Sequence, residues 1–389
     1  MTFGPGDQAF AKFGHNALLV HDPSRPPESR DLVFNYGAYN FDSPLLVLDF
    51  LKGDLRYWLS VSTLSRTVAG YRAANRSVFA KQLALTPAQA REIVGLLYEN
   101  AKPENRYYRY DYYRDNCSTR VRDLLDKTLG GALERASRTS TPYSYRDHTR
   151  RLTRDSPLLF FGLDLAMGPY IDRPITEWEA MFLPMEVDGK LTKLEIDRAG
   201  QRVPLVKDQG VLFSATRPEL PDTTSVPIWP WLLGGLALGA GFYTLGRMRS
   251  RWGQLGFAAS TGLVGFIAGA AGTLLIALWA FTDHRVTYWN QNILLCPVSA
   301  LALPVFALDL GRTQPKYSRL SLRWFGATGL CALLALAIQV VSPSSQHNGP
   351  ALALLAPCWI GAALGAWERL GRPLTAQLAA RQRADSATS

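Results

Sequence analysis

The sequence predicts an α+β domain followed by a five-helix transmembrane bundle. Two observations carry most of this. The mean hydropathy of −0.03 averages two unlike parts: residues 1–226 are rich in charge, whereas residues 227–367 are rich in Leu, Ala and Gly, with few charges outside short loops. Within the second part, five apolar runs, at residues 228–246, 255–281, 293–310, 324–341 and 351–367, are of membrane-spanning length. A span needs about 20 mostly apolar residues, with about 17 as the lower limit. A third observation is a cysteine at the start of a helical pattern, preceded far upstream by a histidine at the start of a strand pattern.

The expected organisation is a domain over residues 1–155, a connecting α/β segment and linker over 156–226, the bundle over 227–367 and a basic tail over 368–389. In the first domain, residues 17–20 read as a short strand with His15 at its entrance. The Pro- and charge-rich loop that follows leads to a second strand at 32–36. Residues 57–62 read as a third strand. Thr86, Pro87 and Gln89 mark a helix start, with Thr as N-cap, Pro at the first position and Gln at the third. The tyrosine-rich run 107–113 has strand character. It leads through Asp115 and Asn116 into a helix with Val121, Leu124, Leu125 and Leu129 on one face, which places Cys117 in its first turn. Residues 158–167 read as a helix, 182–215 as short strands, and the Pro- and Thr-rich stretch 218–227 as a linker.

The net charge of +10 raises nucleic acid as a partner, but its placement argues against it. Arg247, Arg249 and Arg251 lie between the first two runs, and Arg312, Lys316, Arg319 and Arg323 between the third and fourth. Arg369, Arg372, Arg381 and Arg383 follow the fifth, and the opposite loops hold only Arg285. By the positive-inside rule the basic loops and tail are cytoplasmic, and five spans then put residues 1–226 outside. An exported domain needs a signal. Residues 1–7 show no charged region followed by an apolar one, so the export segment is expected upstream of them. Gly235 and Gly239, Gly265 and Gly269, and Gly361 and Gly365 each have the spacing that lets membrane helices pack closely.

Of the four cysteines, Cys296, Cys331 and Cys358 lie in apolar runs and read as small buried hydrophobes. Cys117 stands alone in the polar part, and no Cys/His cluster has zinc spacing, so neither a metal nor another cofactor is expected. A thiol at a helix N-terminus feels the positive end of the dipole, which favours the thiolate. The first-turn N–H groups are candidates to hold an oxyanion. His15 is the expected base. His21 opens a polar loop and reads as solvated, and His148 lies in a charged segment and reads as surface. Asn35 is either the residue that fixes the His15 tautomer or a plain turn-entry asparagine. Asn116 and Arg120 beside the thiol, together with His284 and Asn292 in the loop between the second and third runs, are candidate substrate-binding residues.

The order of these residues, Gly14-His15 into a strand, a polar residue on the next strand, and Asn116-Cys117 opening a helix, resembles the circularly permuted papain-like fold of lecithin:retinol acyltransferase and its phospholipid acyltransferase relatives. The chain more closely resembles the bacterial Lnb-type lipoprotein N-acyltransferases. The similarity lies in G-P-G-D with F-G-H-N-A (residues 4–17), F-N-Y-G (34–41), Y-R-Y-D-Y-Y-R-D-N-C-S-T-R (108–120) and T-D-H-R-V-T-Y-W-N-Q-N (282–292). The resemblance implies that Cys117 and His15 are the catalytic pair. Asn35 stands where the lecithin:retinol group has a histidine. It also implies an inner-membrane acyltransferase that moves an acyl chain from a phospholipid, through a Cys117 thioester, to the N-terminal amine of a diacylglyceryl lipoprotein. The catalytic domain would face the periplasm or outer leaflet. The alternatives on the same Cys–His pair are a thiol phospholipase or a cell-wall peptidase. A non-enzymatic sensor or carrier is a third reading.

Overall fold

The computed structural model describes residues 1–40, 53, 56–198, 200–218, 226–342, 346–373 and 375. The chain divides into two compact units, residues 1–156 with 173–224, and residues 157–172 with 225–389. The stretch read as a connector is thus shared between them: 157–172 packs with the second unit and 173–224 with the first. Most of the linker at 218–227 and most of the basic tail, with Arg381 and Arg383, lie outside the described residues.

The first unit is mixed α/β. Its strands are β1 (Thr2–Phe3), β2 (His15–Asn16), β3 (Leu18–His21), β4 (Asp31–Ala38), β5 (Arg56–Thr63), β6 (Val78–Leu83), β7 (Tyr107–Arg109), β8 (Ser140–Ser144), β9 (Pro174–Thr176), β10 (Glu195–Arg198), β11 (Gln201–Pro204) and β12 (Val206–Phe213). Two antiparallel four-stranded sheets form, in the orders β12-β6-β1-β2 and β3-β4-β5-β7, and β8-β9 and β10-β11 make two small ribbons. The chain passes from the first sheet to the second at Ala17, so His15 and the strand after it belong to different sheets.

Helices α1 (Leu64–Ala73), α2 (Pro87–Asn100), α3 (Cys117–Thr128), α4 (Ala132–Arg135) and α5 (Tyr145–Thr153) belong to this unit. The N-terminus expected at Thr86 is a complete capping box: Thr86 Oγ1 accepts from Gln89 N–H, and Gln89 Oε1 accepts from Thr86 N–H. Strand β4 is buried on both faces. Phe34 and Tyr36 pack with Leu97 of α2 and with Val121 and Leu125 of α3, whereas Val33 packs with Phe3, Ala17 and Val78. That alternation fixes the register, and with it the face on which Asn35 lies.

Three expectations are corrected. The stretch 182–215 is not all short strands: Pro184–Lys193 is a helix, and the strands begin at Glu195. The tyrosine run does not continue as a strand to residue 113. Asp111 Oδ1 accepts from the N–H groups of Tyr113 and Arg114, and this turn ends β7 at Arg109. His148 is not on the surface. It lies buried on α5 between Tyr143 and Phe182, and burial, then Arg151, lowers its pKa to about 4. His21, by contrast, is exposed and paired with Asp31 at 2.6 Å.

The second unit holds α6 (Pro157–Ala166) and, after α7 (Glu177–Ala180) and α8 (Pro184–Lys193) of the first unit, α9 (Trp229–Arg247), α10 (Arg251–Phe281), α11 (Leu303–Leu310), α12 (Ser318–Val341) and α13 (Gly349–Ala366). Among the described residues, four helical segments are long and apolar enough to cross a membrane: Arg251–Phe281, Gln291–Leu310, Ser318–Val341 and Gly349–Gly371. The first expected span, α9, has 19 residues, and its tryptophans and glycines, with Tyr243 and Thr244, dilute its apolarity. The segment Gln291–Leu310 is broken at Pro297, where two 3-10 turns precede α11. Trp359 Nε1 satisfies the Leu295 carbonyl beside the break at 2.7 Å.

The small-residue spacings mark real contacts. A Cβ on Gly239 would lie 2.4 Å from the Pro357 carbonyl oxygen, one on Gly361 2.2 Å from the Gly239 oxygen, and one on Gly246 2.4 Å from the Gly365 oxygen. Helices α9 and α13 therefore pack backbone against backbone, in parallel, along the whole of α9.

Candidate active site

Helix α3 begins where Asn116 caps it. Asn116 Oδ1 accepts from the N–H groups of Ser118 and Thr119 at 2.8 and 2.9 Å, and Thr119 Oγ1 accepts from Asn116 N–H at 2.8 Å. Asn116 Nδ2 donates to the carbonyls of Tyr112 and Phe182, so the whole side chain is committed to anchoring the helix start. Cys117 takes the first helical position, free of disulfide and 8% exposed.

This cap corrects the expectation for the oxyanion. The Ser118 and Thr119 amides are taken by Asn116, and the Arg120 amide donates to the Asn116 carbonyl. Among the described residues, the Cys117 N–H is the first-turn amide left without an acceptor.

His15 arrives from β2, and its imidazole lies beside the thiol. Its Nε2 faces Asn35 Oδ1 on β4 at 3.3 Å, a contact that favours the tautomer with its proton on Nε2 and a lone pair on Nδ1. The imidazole is held beside two stacked rings: its centroid lies 5.7 Å from that of Phe3 and 6.4 Å from that of Tyr71. The three residues read as a thiol, its base and an orienting amide thus meet, although they come from a helix start and two different sheets.

Burial alone would raise the Cys117 pKa. The charge and hydrogen bond of His15 outweigh it, with help from the Asn16 N–H and the Ser118 hydroxyl, and the net direction is downward. Cys296 and Cys358 lack such a partner and remain ordinary buried thiols.

Two further residues, for which the sequence assigns no role, border the site. Gly37 sits at a register shift between Tyr36 and Ala38 on β4, with φ of +96°. A Cβ there would lie 3.4 Å from Cys117 Cβ and 3.7 Å from His15 Cε1. The bulge and the missing side chain let the strand pass directly under the thiol–imidazole pair. The N-Y-G sequence after Phe34 is the signal for it. The second residue is Tyr108 on β7, whose hydroxyl lies 3.9 Å from the same Gly37 Cβ position.

Arg120 is placed beside the site but engaged. It forms a two-pronged ion pair with Asp115 (Nη2–Oδ2 2.6 Å), and its guanidinium stacks 4.2 Å from the Tyr108 ring centroid.

His284 and Asn292 belong to the second unit. Asn292 is fully buried. Its Nδ2 donates to the Leu165 carbonyl at 2.9 Å, and its Oδ1 accepts from Asn348 Nδ2 at 2.6 Å. Asn290 and Gln346 similarly take the carbonyls of Leu165, Ala166 and Met167. This carboxamide cluster caps the C-terminal end of α6. The Asn292 amide thus bridges α6 to the segment that precedes α13. His284 is 9% exposed, and its carbonyl accepts from Thr287 Oγ1 at 2.8 Å.

These features define a thiol–imidazole site in a mixed α/β unit of a chain that also carries membrane-capable helices. Residues 1–151 match the family model of the Lnb N-terminal periplasmic domain, so the first unit carries an Lnb domain and the Lnb-type resemblance read from the motifs holds there. The domain points to a lipoprotein-modifying membrane enzyme. No curated protein and no solved structure matches the chain.

Proposed function

We propose that this protein is a lipoprotein N-acyltransferase that works through an acyl thioester on Cys117. The observation that carries the reading is the Cys117–His15–Asn35 arrangement inside an Lnb domain. Its order, histidine before cysteine with the cysteine opening a helix, favours a circularly permuted papain-like scaffold. The thiolate attacks the ester carbonyl of a membrane phospholipid. The resulting C–S bond replaces the ester C–O bond, and the His15 imidazolium passes its proton to the departing lysophospholipid oxygen. The α-amine of a diacylglyceryl-cysteine then attacks the thioester, His15 takes the amine proton, an amide forms and the thiol is restored. Acid–base assistance of this kind contributes roughly 10²–10⁴-fold.

A membrane location follows from the substrates and is supported by the apolar helices. Five crossings are favoured although α9 is not among the four helical segments apolar enough to cross by composition, because α9 runs parallel to the membrane-length α13 for its whole length. They would put the Lnb domain on the periplasmic side of the inner membrane.

The test is mass spectrometry of a lipoprotein N-terminus from cells that depend on this protein for N-acylation. Cys117→Ala is expected to leave the amine free, and the wild-type protein to carry a hydroxylamine-labile acyl group at Cys117. N-acylation that persists in Cys117→Ala would end the thiol mechanism. Release of free fatty acid with no amide product would favour a phospholipase instead.

A further inference from the structure

We propose that the Tyr108 hydroxyl is a catalytic hydrogen-bond donor that, with the Cys117 N–H, holds the oxyanion formed when Cys117 attacks an acyl carbonyl. The proposal rests on the thioester reading and assigns a residue which that reading lacks. A tetrahedral oxyanion needs donors aimed at it, and the helix supplies fewer than its geometry suggests. Asn116 consumes the Ser118 and Thr119 amides, so the Cys117 amide has no companion in the first turn.

Tyr108 is the group placed to fill that gap. It is 9% exposed, and its hydroxyl is buried without a hydrogen-bond partner among the described residues. A buried hydroxyl left unpaired is costly, and such an orphan in a native fold calls for a ligand group. The hydroxyl and the cysteine Cβ approach the same bare face of Gly37, at 3.9 and 3.4 Å from the position its Cβ would take.

The ring is fixed rather than adaptable. The Arg120 guanidinium, itself held by Asp115, covers one face at 4.2 Å, and Tyr36 meets it edge-on with centroids 6.3 Å apart. Burial, and then the nearby Cys117 charge, drive its pKa far above the ordinary phenol value. The phenol therefore keeps its proton at any working pH and remains a donor.

The experiment separates carbonyl chemistry from thiol reactivity. The full-length protein in detergent is given a fluorescent-acyl phosphatidylethanolamine, and single-turnover acylation of Cys117 is followed. In parallel, Cys117 is alkylated with iodoacetamide, a reaction at a saturated carbon that develops no oxyanion. Tyr108→Phe keeps the ring and its stacking but loses the donor. Acylation is expected to slow about 10²-fold, the usual effect of removing one such donor, while alkylation stays within about twofold of wild type. Acylation at the wild-type rate overturns the inference. So does a parallel loss of alkylation, which would make Tyr108 a support for the thiolate or for the fold. No thioester on the wild-type protein would sink the thioester reading itself, and this inference with it.

Discussion

At the scale of single residues, the reactivity of Cys117 is a balance between burial, which opposes ionisation, and His15, which favours it. Because the balance falls below the ordinary thiol pKa, alkylation of Cys117 should reach half its maximal rate at a lower pH than an ordinary free thiol does. Removing the imidazole leaves burial opposed only by the Asn16 N–H and the Ser118 hydroxyl, so His15→Ala should move that midpoint upward. Asn35→Ala should move it in the same direction by less, since Asn35 acts on the thiol only through the ring it orients. A profile unchanged by His15→Ala would show that the helix start alone activates the thiol. Cys117 and His15 are legible in the sequence as candidates because each sits at an element boundary whose local signals are strong. Tyr108 and Gly37 are not. One tyrosine in a run of tyrosines looks like strand filler, and a bulge exists only relative to a partner strand.

At the scale of elements, the start of α3 is the piece on which the site is built. Asn116 satisfies two orphan amides and two carbonyls at once, one of them from Phe182 some 66 residues away. Asn116→Ala should lower stability by about 1 kcal/mol for the cap alone. It should also reduce acyl transfer through kcat rather than through substrate affinity. Asn116→Asp keeps the acceptor and loses the donors, and is expected to restore part of the stability, measurable as the thermal midpoint in detergent. A rise in KM with no change in midpoint would instead return Asn116 to substrate binding. Helix starts such as those at Thr86 and Asn116 can be read directly because capping is local chemistry. The end of β7 was hidden because the Asp111 side chain captures backbone amides that a tyrosine run would otherwise give to a sheet. The break at Pro297 shows in the sequence, but its tolerance depends on Trp359 more than sixty residues on.

At the scale of the whole molecule, the second unit sorts its loops by charge. Arg249 Nη2 reaches the Glu368 carbonyl at 3.1 Å, Arg369 Nη2 reaches the Leu245 carbonyl at 2.9 Å, and Gln254 Nε2 reaches the Leu310 and Arg312 carbonyls at 2.6 Å. The basic segments near residues 247, 312 and 369 therefore gather at one end of this unit. The uncharged carboxamides of Asn290, Asn292, Gln346 and Asn348 lie together elsewhere in it, where a Cβ on nearby Gly349 would touch Ile228 at 3.0 Å, just before α9 begins. The charge pattern was readable from the sequence, whereas the role of residues 157–172 was not, since only the folded chain shows α6 capped by residues more than 120 positions away. With the basic end cytoplasmic, the loop containing His284 faces outward. A cysteine placed at position 284 in a Cys117→Ala background should be modified by a membrane-impermeant maleimide added to spheroplasts, and one placed at position 316 should not. His284→Ala in the otherwise native chain should impair acyl transfer while leaving iodoacetamide labelling of Cys117 intact, if the loop contributes to lipid handling. Labelling at 284 only after lysis would invert the orientation and remove the topological support for an extracytoplasmic lipoprotein substrate.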